Sequence, residues 1–262
     1  MLRGAPRACP TGNSARFAAT PLSSPGTSAR QWRDAHHELL LPQLDLAGCP
    51  ALVLVAPHPD DETLGMGAMA AQLAASGVKV LVVSVSDGGA ARPGTTPLQR
   101  MGLESTRRNE LHSATAILGV NSVVSLGLPD GALAQHEDQL TDLLADILAG
   151  VARGSWCATS WRGDGHPDHE AVGRAAAKAC AGTGAQLLEY PIWMWHWAAP
   201  HDPAVPWETA HRVPISRWAV ERKRLAAQCF CSQFKTGADG SAPVLPEFVL
   251  ERLLEVGEVV FR

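Results

Sequence analysis

The sequence lacks the features that mark several large protein classes. None of its six cysteines, Cys9, Cys49, Cys157, Cys180, Cys229 and Cys231, stands in a C-x-x-C pair. The C-x-C at Cys229–Cys231 cannot easily bridge itself, so neither a thiolate zinc site nor a disulfide framework is signalled. No apolar run approaches the ~20 residues of a membrane span, and the first thirty residues lack the continuous apolar stretch of a secretory signal. Acids are missing from the N-terminus: five of the 22 basic residues come before the first acid, Asp34. With 26 acids and a net charge of −4, the remaining body is more acidic than the chain as a whole. A general nucleic-acid binder would show a basic face instead. There is no internal repeat. These absences lead to the expectation of a protein of the reducing cytoplasm, without integral membrane association and without a nucleic-acid partner.

What is present is a globular balance, 46% hydrophobic and 18% charged over 262 residues, enough for one large core without staples. Residues 1–45 read as a basic, disordered tail and entry segment (a start-site artefact or an organelle transit peptide being the alternatives), and 46–262 as a single domain. Ala51–Ala56 and Val78–Val85 are short apolar runs that read as strands buried on both faces. Between them Leu64–Ser76 is Ala-rich and helical, closed by Gly77. This strand–helix–strand unit implies parallel pairing and a right-handed crossover. The alternation continues through a helix at 101–118, a strand at 122–126, a helix at 138–149, a strand at 156–159, a helix at 170–181 and a strand at 186–190. The expectation is a doubly wound, mostly parallel α/β sheet flanked by helices. From Pro191 the pattern weakens into a less regular C-terminal segment, with helices at 216–228 and 246–255.

Two segments carry the chemistry. Pro57-His58-Pro59-Asp60-Asp61-Glu62 follows the first strand, and His166-Pro167-Asp168-His169 follows the fourth. Loops beyond the carboxyl ends of strands meet at the ligand crevice of an open α/β sheet, so the two are expected to converge. Three consecutive carboxylates repel one another unless a cation or another partner relieves them. His58, Asp61 and His169 make a His₂Asp ligand set with a position left for water, as catalytic zinc uses. Asp60 can then act as general base, and His166 can stabilise an oxyanion or protonate a leaving group. Taken singly, either segment is as readily a solvated turn or a helix cap; together, at strand ends of one βαβ series, they indicate a metal-dependent hydrolytic site. Glu62 can orient a ligand from behind or cap the following helix. Asp168 can hold His58 or His166 in its tautomer, or be a plain turn carboxylate.

At these residues the chain resembles the PIG-L/LmbE-like de-N-acetylases, whose signature is a (P/A)HPDDE segment after the first strand and an H-x-D-H segment later. The resemblance covers about Ala51 to Gln233. It implies a Rossmann-like fold and a zinc-dependent amidohydrolase (with Fe²⁺ or another divalent ion as a substitute). Such an enzyme removes an N-acetyl or similar N-acyl group from a small N-acetylglucosamine-type conjugate. It also implies His58, Asp61 and His169 as metal ligands, Asp60 as base and His166 as the residue assisting the tetrahedral intermediate. Arg107 falls where an arginine contacts sugar hydroxyls, and Asp130 where a polar residue lies near the active site.

Two other readings stand beside it. Gly65-Met66-Gly67-Ala68-Met69-Ala70 matches G-x-G-x-x-A, with Asp87 about 20 residues on, as in an NAD-dependent oxidoreductase; but the glycines fall inside the helix rather than directly after the strand. Trp193, Trp195 and Trp197 would share one face at strand period, as in a non-catalytic carbohydrate-binding protein, or would pack the sheet edge against the C-terminal segment.

Overall fold

The computed structural model describes residues 12–262 apart from 36, 37, 93, 121, 238, 239 and 241. In chain order the elements are α1 (Asn13–Ala19), α2 (Ala29–Ala35), β1 (Ala51–Ala56), α3 (Asp61–Ala75), β2 (Lys79–Ser84), α4 (Pro97–Leu118), β3 (Ser122–Ser125), α5 (Glu137–Ala149), β4 (Trp156–Ser160), α6 (Pro167–Thr183), β5 (Gln186–Tyr190), the single turn α7 (Met194–Trp197), β6 (Ala210–Arg212), α8 (Arg217–Ala227), the short α9 (Cys231–Phe234), α10 (Glu247–Glu255) and β7 (Val259–Phe261). The strands form one sheet in the order β3-β2-β1-β4-β5-β7-β6. The first five are parallel, and β7 and β6 add an antiparallel edge.

The continuous apolar run of β1 is explained by cover on both faces. Leu52 and Leu54 enter one core, with Met66 and Leu73 of α3 and Leu111 and Leu118 of α4. Val53 and Val55 enter the other, with Leu140 and Leu144 of α5 and Val172 of α6. Each fully buried aliphatic side chain contributes about 1.5–3 kcal/mol, so the period-two split of β1 between two cores fixes its register strongly. The chain runs outward from β1 to β3, then returns to place β4 on the other side of β1. That reversal is the topological switch point where α/β sheets bind ligands. Among the described residues no helix is long and apolar enough to cross a membrane, and the five described cysteines are unpaired; Cys9 lies outside the described residues.

Three expectations need correction. The helices after β1, β2 and β4 begin three to four residues earlier than expected, at Asp61, Pro97 and Pro167, which puts Asp61, Glu62, Asp168 and His169 on first helical turns. Residues 12–35, read as tail, contain α1 and α2 and are docked: Trp32 is buried and its indole N–H donates to Trp195 O at 2.8 Å, while residues 1–11 lie outside the described residues. The tryptophan row is not a strand. Met194–Trp197 is a helical turn capped by Trp193, and all three indoles are buried, because the backbone N–H groups of Ile192, Trp193 and Met194 all converge on the Asp164 carboxylate.

Candidate active site

The loop from β1 into α3 is held in an unfavourable shape. Asp60, which precedes the first turn of α3, has φ 134° and ψ −32°, a region that costs a non-glycine residue about 1–3 kcal/mol. Two side chains hold it there. The Glu62 carboxylate accepts the Asp60 backbone N–H at 3.0 Å and the Thr63 hydroxyl at 2.6 Å. Arg107, projecting from the middle of α4, donates to Pro59 O at 2.7 Å, Asp60 Oδ2 at 3.2 Å and Gly88 O at 3.0 Å. Gly88 has φ 67°, and a Cβ there would collide with the Arg107 guanidinium. Arg107 is 3% exposed and lines the cavity; the contacts it makes in this structure brace the loop and Asp60.

The expected metal ligands converge. Asp61 Oδ2 lies 3.3 Å from His58 Nδ1 and 3.2 Å from His169 Nε2, and the three ligand atoms lie within 4.8 Å of one another. Ligands bound tetrahedrally at ~2.0–2.1 Å are separated by about 3.3 Å, so the spacing fits one small cation. The far nitrogen of each imidazole is held by acids. His58 Nε2 is 3.1 Å from Asp130 Oδ1 and 3.2 Å from Asp168 Oδ2, and His169 Nδ1 is 2.8 Å from Asp164 Oδ2. Carboxylate–imidazole pairs of this kind fix the ligand's ring and raise its basicity. Asp168 is itself tied down by the Gly131 and Leu133 N–H groups.

Asp130 and Asp168 therefore both stand behind His58. Asp130, expected at the substrate, also accepts the Ala90 N–H at 2.7 Å. Glu62 braces the Asp60 backbone rather than a ligand. Asp164 was missed by sequence reasoning; its signal is the Gly163-Asp164-Gly165 turn just ahead of His166, where a carboxylate near a ligand histidine suggests a supporting partner.

The charge arrangement favours a cation. Asp60, Asp61, Glu62, Asp130, Asp164 and Asp168 surround two imidazoles and one guanidinium. Burial opposes charge on His58, yet hydrogen bonds to Asp130, Asp168 and Asp61 raise its pKa well above the ordinary value. Burial likewise opposes charge on His169, but Asp61 and Asp164 raise it to about 9. Burial resists ionisation of Asp61, and the two imidazoles nonetheless hold it far below the usual carboxylate range. Burial drives Asp60 up to about 8 against the pull of Arg107, with Asp61 and Glu62 adding to the rise. The first turns of α3 and α6 both point here, and helix N-termini stabilise the acids they carry.

His166 caps α6, and its Nδ1 accepts the Asp168 N–H at 3.3 Å. Burial and the neighbouring imidazoles push its pKa down to about 3. A neutral ring that accepts through Nδ1 carries its proton on Nε2, which makes Nε2 a hydrogen-bond donor. His166 packs against His169 with ring centroids 4.8 Å apart and against His58 at 5.4 Å. Together with Asp60, Asp61 and Asp130, the three histidines line a cavity of about 340 Å³.

Neither alternative reading finds support. α3 breaks at Met66 (φ −134°) within the Gly65–Ala70 segment. The Ala68 and Met69 N–H groups freed by the break, where a pyrophosphate would sit, both donate to the buried Glu258 carboxylate at 2.8 Å. Lys223 Nζ completes that cluster at 3.0 Å. Of the three expected sugar-stacking indoles, Trp193 alone lines the cavity.

Residues 53–180 match the family model described as PIG-L: GlcNAc-PI de-N-acetylase. A probable N-acetyl-alpha-D-glucosaminyl L-malate deacetylase 2 of Bacillus subtilis (strain 168) is 31% identical over 132 residues, 49% of this chain and 59% of that protein. A 1D-myo-inositol 2-acetamido-2-deoxy-alpha-D-glucopyranoside deacetylase of Nocardioides sp. is 33% identical over 161 residues, 50% of this chain and 53% of that protein. The chain thus spans a little over half the length of these curated relatives. The conserved protein TT1542 from Thermus thermophilus superposes with a TM-score of 0.53 at 28% identity, over 72% of this chain and 82% of that one. Residues 53–180, a little under half of the chain, are thus identified as a match to the PIG-L family.

Proposed function

We propose that the protein is a metal-dependent amidohydrolase that removes an N-acetyl or similar N-acyl group from a small N-acetylglucosamine-type conjugate. The observation that carries this reading is the approach of a nitrogen of His58 and one of His169 to within 3.3 Å of the same Asp61 oxygen, beside a strained, Arg107-held Asp60. The names of the two curated relatives, both N-acetylglucosaminyl-type deacetylases, support it.

His58, Asp61 and His169 would hold the ion, with zinc as the first candidate and ferrous iron as a substitute that a His₂Asp set accepts. A divalent ion in such a site acts as a Lewis acid and makes water nucleophilic at neutral pH. Asp60 takes a proton from the attacking water as its oxygen bonds to the acyl carbon. The Nε2–H of His166 donates to the oxyanion that develops on the former carbonyl oxygen. As the C–N bond breaks, Asp60 returns the proton to the leaving nitrogen, so that water has been divided between a carboxylic acid and an amine. Arg107 and Glu62 keep Asp60 in place, while Asp130, Asp168 and Asp164 keep the two imidazoles oriented.

The test is amine release from a panel of N-acetylhexosamine conjugates, with and without chelator. The expected result is turnover that a chelator abolishes and added Zn²⁺ restores. Chelator-insensitive release, or no release across the panel with metal supplied, refutes the reading.

A further inference from the structure

Resting on that deacylase reading, we propose that the cavity is built to take an acyl chain longer than acetyl, so that the preferred substrate is an N-acylated amino sugar with a medium-length aliphatic acyl group. The cavity has two unlike halves. Its floor is the ionisable cluster around His58. Apart from Gln233, the rest of its lining is apolar and includes Phe17, Leu22, Ile192, Trp193, Val249 and Leu253. All six lie outside the segment 53–180 that the family model matches, whereas Leu64, Ala90 and Ala91 add apolar lining from within it.

The wall starts at the residue that donates to the oxyanion. The Phe17 ring centroid is 5.9 Å from that of His166 and 5.1 Å from that of Trp193, and His166 and Trp193 lie nearly parallel at 6.4 Å and 24°. An amide whose carbonyl oxygen faces His166 sends one substituent along this wall and the other toward Asp130 and Gly131. The polyol of an amino sugar cannot satisfy its hydroxyls against hydrocarbon, which leaves the acyl group for the apolar side. An acetyl methyl extends one carbon beyond the carbonyl and cannot cover six side chains from three separate segments.

The wall is also anchored. Asn13 Nδ2 donates to Gly163 O at 2.8 Å, Ser14 Oγ to Glu170 at 3.0 Å and Arg16 Nη1 to Asp202 at 2.8 Å, which fixes α1 and with it Phe17. On the opposite side Arg252 of α10, beside Leu253, contacts His196 Nδ1 at 3.1 Å. Val249 and Leu253 are 3% and 2% exposed.

The experiment measures kcat/KM for amine release by the full chain loaded with Zn²⁺. Its substrates are N-acetyl-, N-butanoyl-, N-hexanoyl- and N-octanoylglucosamine, together with the octyl glycoside of N-acetylglucosamine. A methylene moved fully from water into hydrocarbon is worth about fourfold, so hexanoyl should exceed acetyl by more than about tenfold. Leu253→Trp and, independently, the half-buried Leu22→Trp should fill the chamber and lower the hexanoyl-to-acetyl ratio by about tenfold. A flat or falling series with acetyl well hydrolysed overturns the inference and leaves the deacylase reading standing. An advantage of the octyl glycoside over the longer acyl chains also overturns it, because the wall then serves an aglycone. If no compound is hydrolysed with metal supplied, both fall.

Discussion

Replacement of Arg107 separates two roles that predict opposite kinetics. The resemblance assigns this arginine to sugar hydroxyls, whereas in this structure its Nη1 and Nη2 donate to Pro59 O, Asp60 Oδ2 and Gly88 O. Arg107→Ala leaves a buried carboxylate and two carbonyls without their donor. In the metal-loaded protein the adjacent cation opposes the burial that raises Asp60 and keeps it ionised. Breaking this buried ion pair then costs about 3–5 kcal/mol, and the unsatisfied carbonyls fall largely within that figure because the loop can relax. A protein of this size loses about 2–4 °C of Tm per kcal/mol, so the melting midpoint should fall by about 6–20 °C. Relaxation of the loop would also release the strain at Asp60, whose φ of 134° is sustained by these contacts, and move the base. Loss of a positioned base costs about 10²–10⁴ in rate, so kcat should drop at least about 100-fold while KM changes by less than about threefold. Arg107→Lys keeps the charge but not the planar fork and should recover part of the stability. Thermal unfolding and steady-state amine release of the metal-loaded variants provide the readouts. A Tm within about 2 °C of the parent, with KM raised and kcat retained, would refute the bracing role and restore the sugar contact.

Asp60→Asn should keep its metal and its fold, because Asn tolerates positive φ, and lose about 10²–10⁴ of turnover; near-native turnover would remove Asp60 as the base. His169→Ala should abolish stoichiometric metal in atomic spectroscopy, while Asp164→Asn should weaken metal affinity by about 10–100-fold with the three direct ligands intact. Glu258→Gln strands the buried Lys223 and should cost about 3–5 kcal/mol in urea unfolding, most of it recovered when Lys223→Met is added; an unchanged midpoint would show that the break in α3 does not depend on this pair.

The parallel half of the sheet was legible because its strands are hydrocarbon on both faces and its helices are closed by glycine, as at Gly119 and Gly184 with φ 79° and 75°. The antiparallel edge was not, since β6 and β7 are three residues each, too short for any alternation to register. Helix starts were misplaced at α3 and α6 for one reason: their first turns are polar, holding Asp61, Glu62, Asp168 and His169, so the apolar period begins a turn late. The tryptophans misled because Asp164, thirty residues away from Met194 in sequence, turns Ile192–Met194 into a helical cap that no local propensity encodes. The N-terminal segment misled because its composition is polar and basic, while its anchorage lies in single side chains, Trp32 against Trp195 and Arg16 against Asp202.

The same contrast explains why the site's chemistry could be read before its geometry. Ligand and base positions are set by residue type at fixed offsets from strand ends, and a cation demands those types whatever surrounds them. The roles of Arg107, Asp130 and Glu62 depend instead on which partner each side chain reaches across the fold. All three reach inward, to the β1–α3 loop and to His58, because a loop carrying three consecutive acids and a left-handed aspartate needs more support than its own backbone supplies. Arg107 and Asp130 also line the cavity, but much of their hydrogen-bonding capacity is taken up by that support. Under the proposed acyl-chain reading, selectivity arises from the apolar lining, to which α1, the turn at Ile192–Trp193 and α10 contribute. Two proteins with the same signature segments can therefore share a reaction and differ in what they accept.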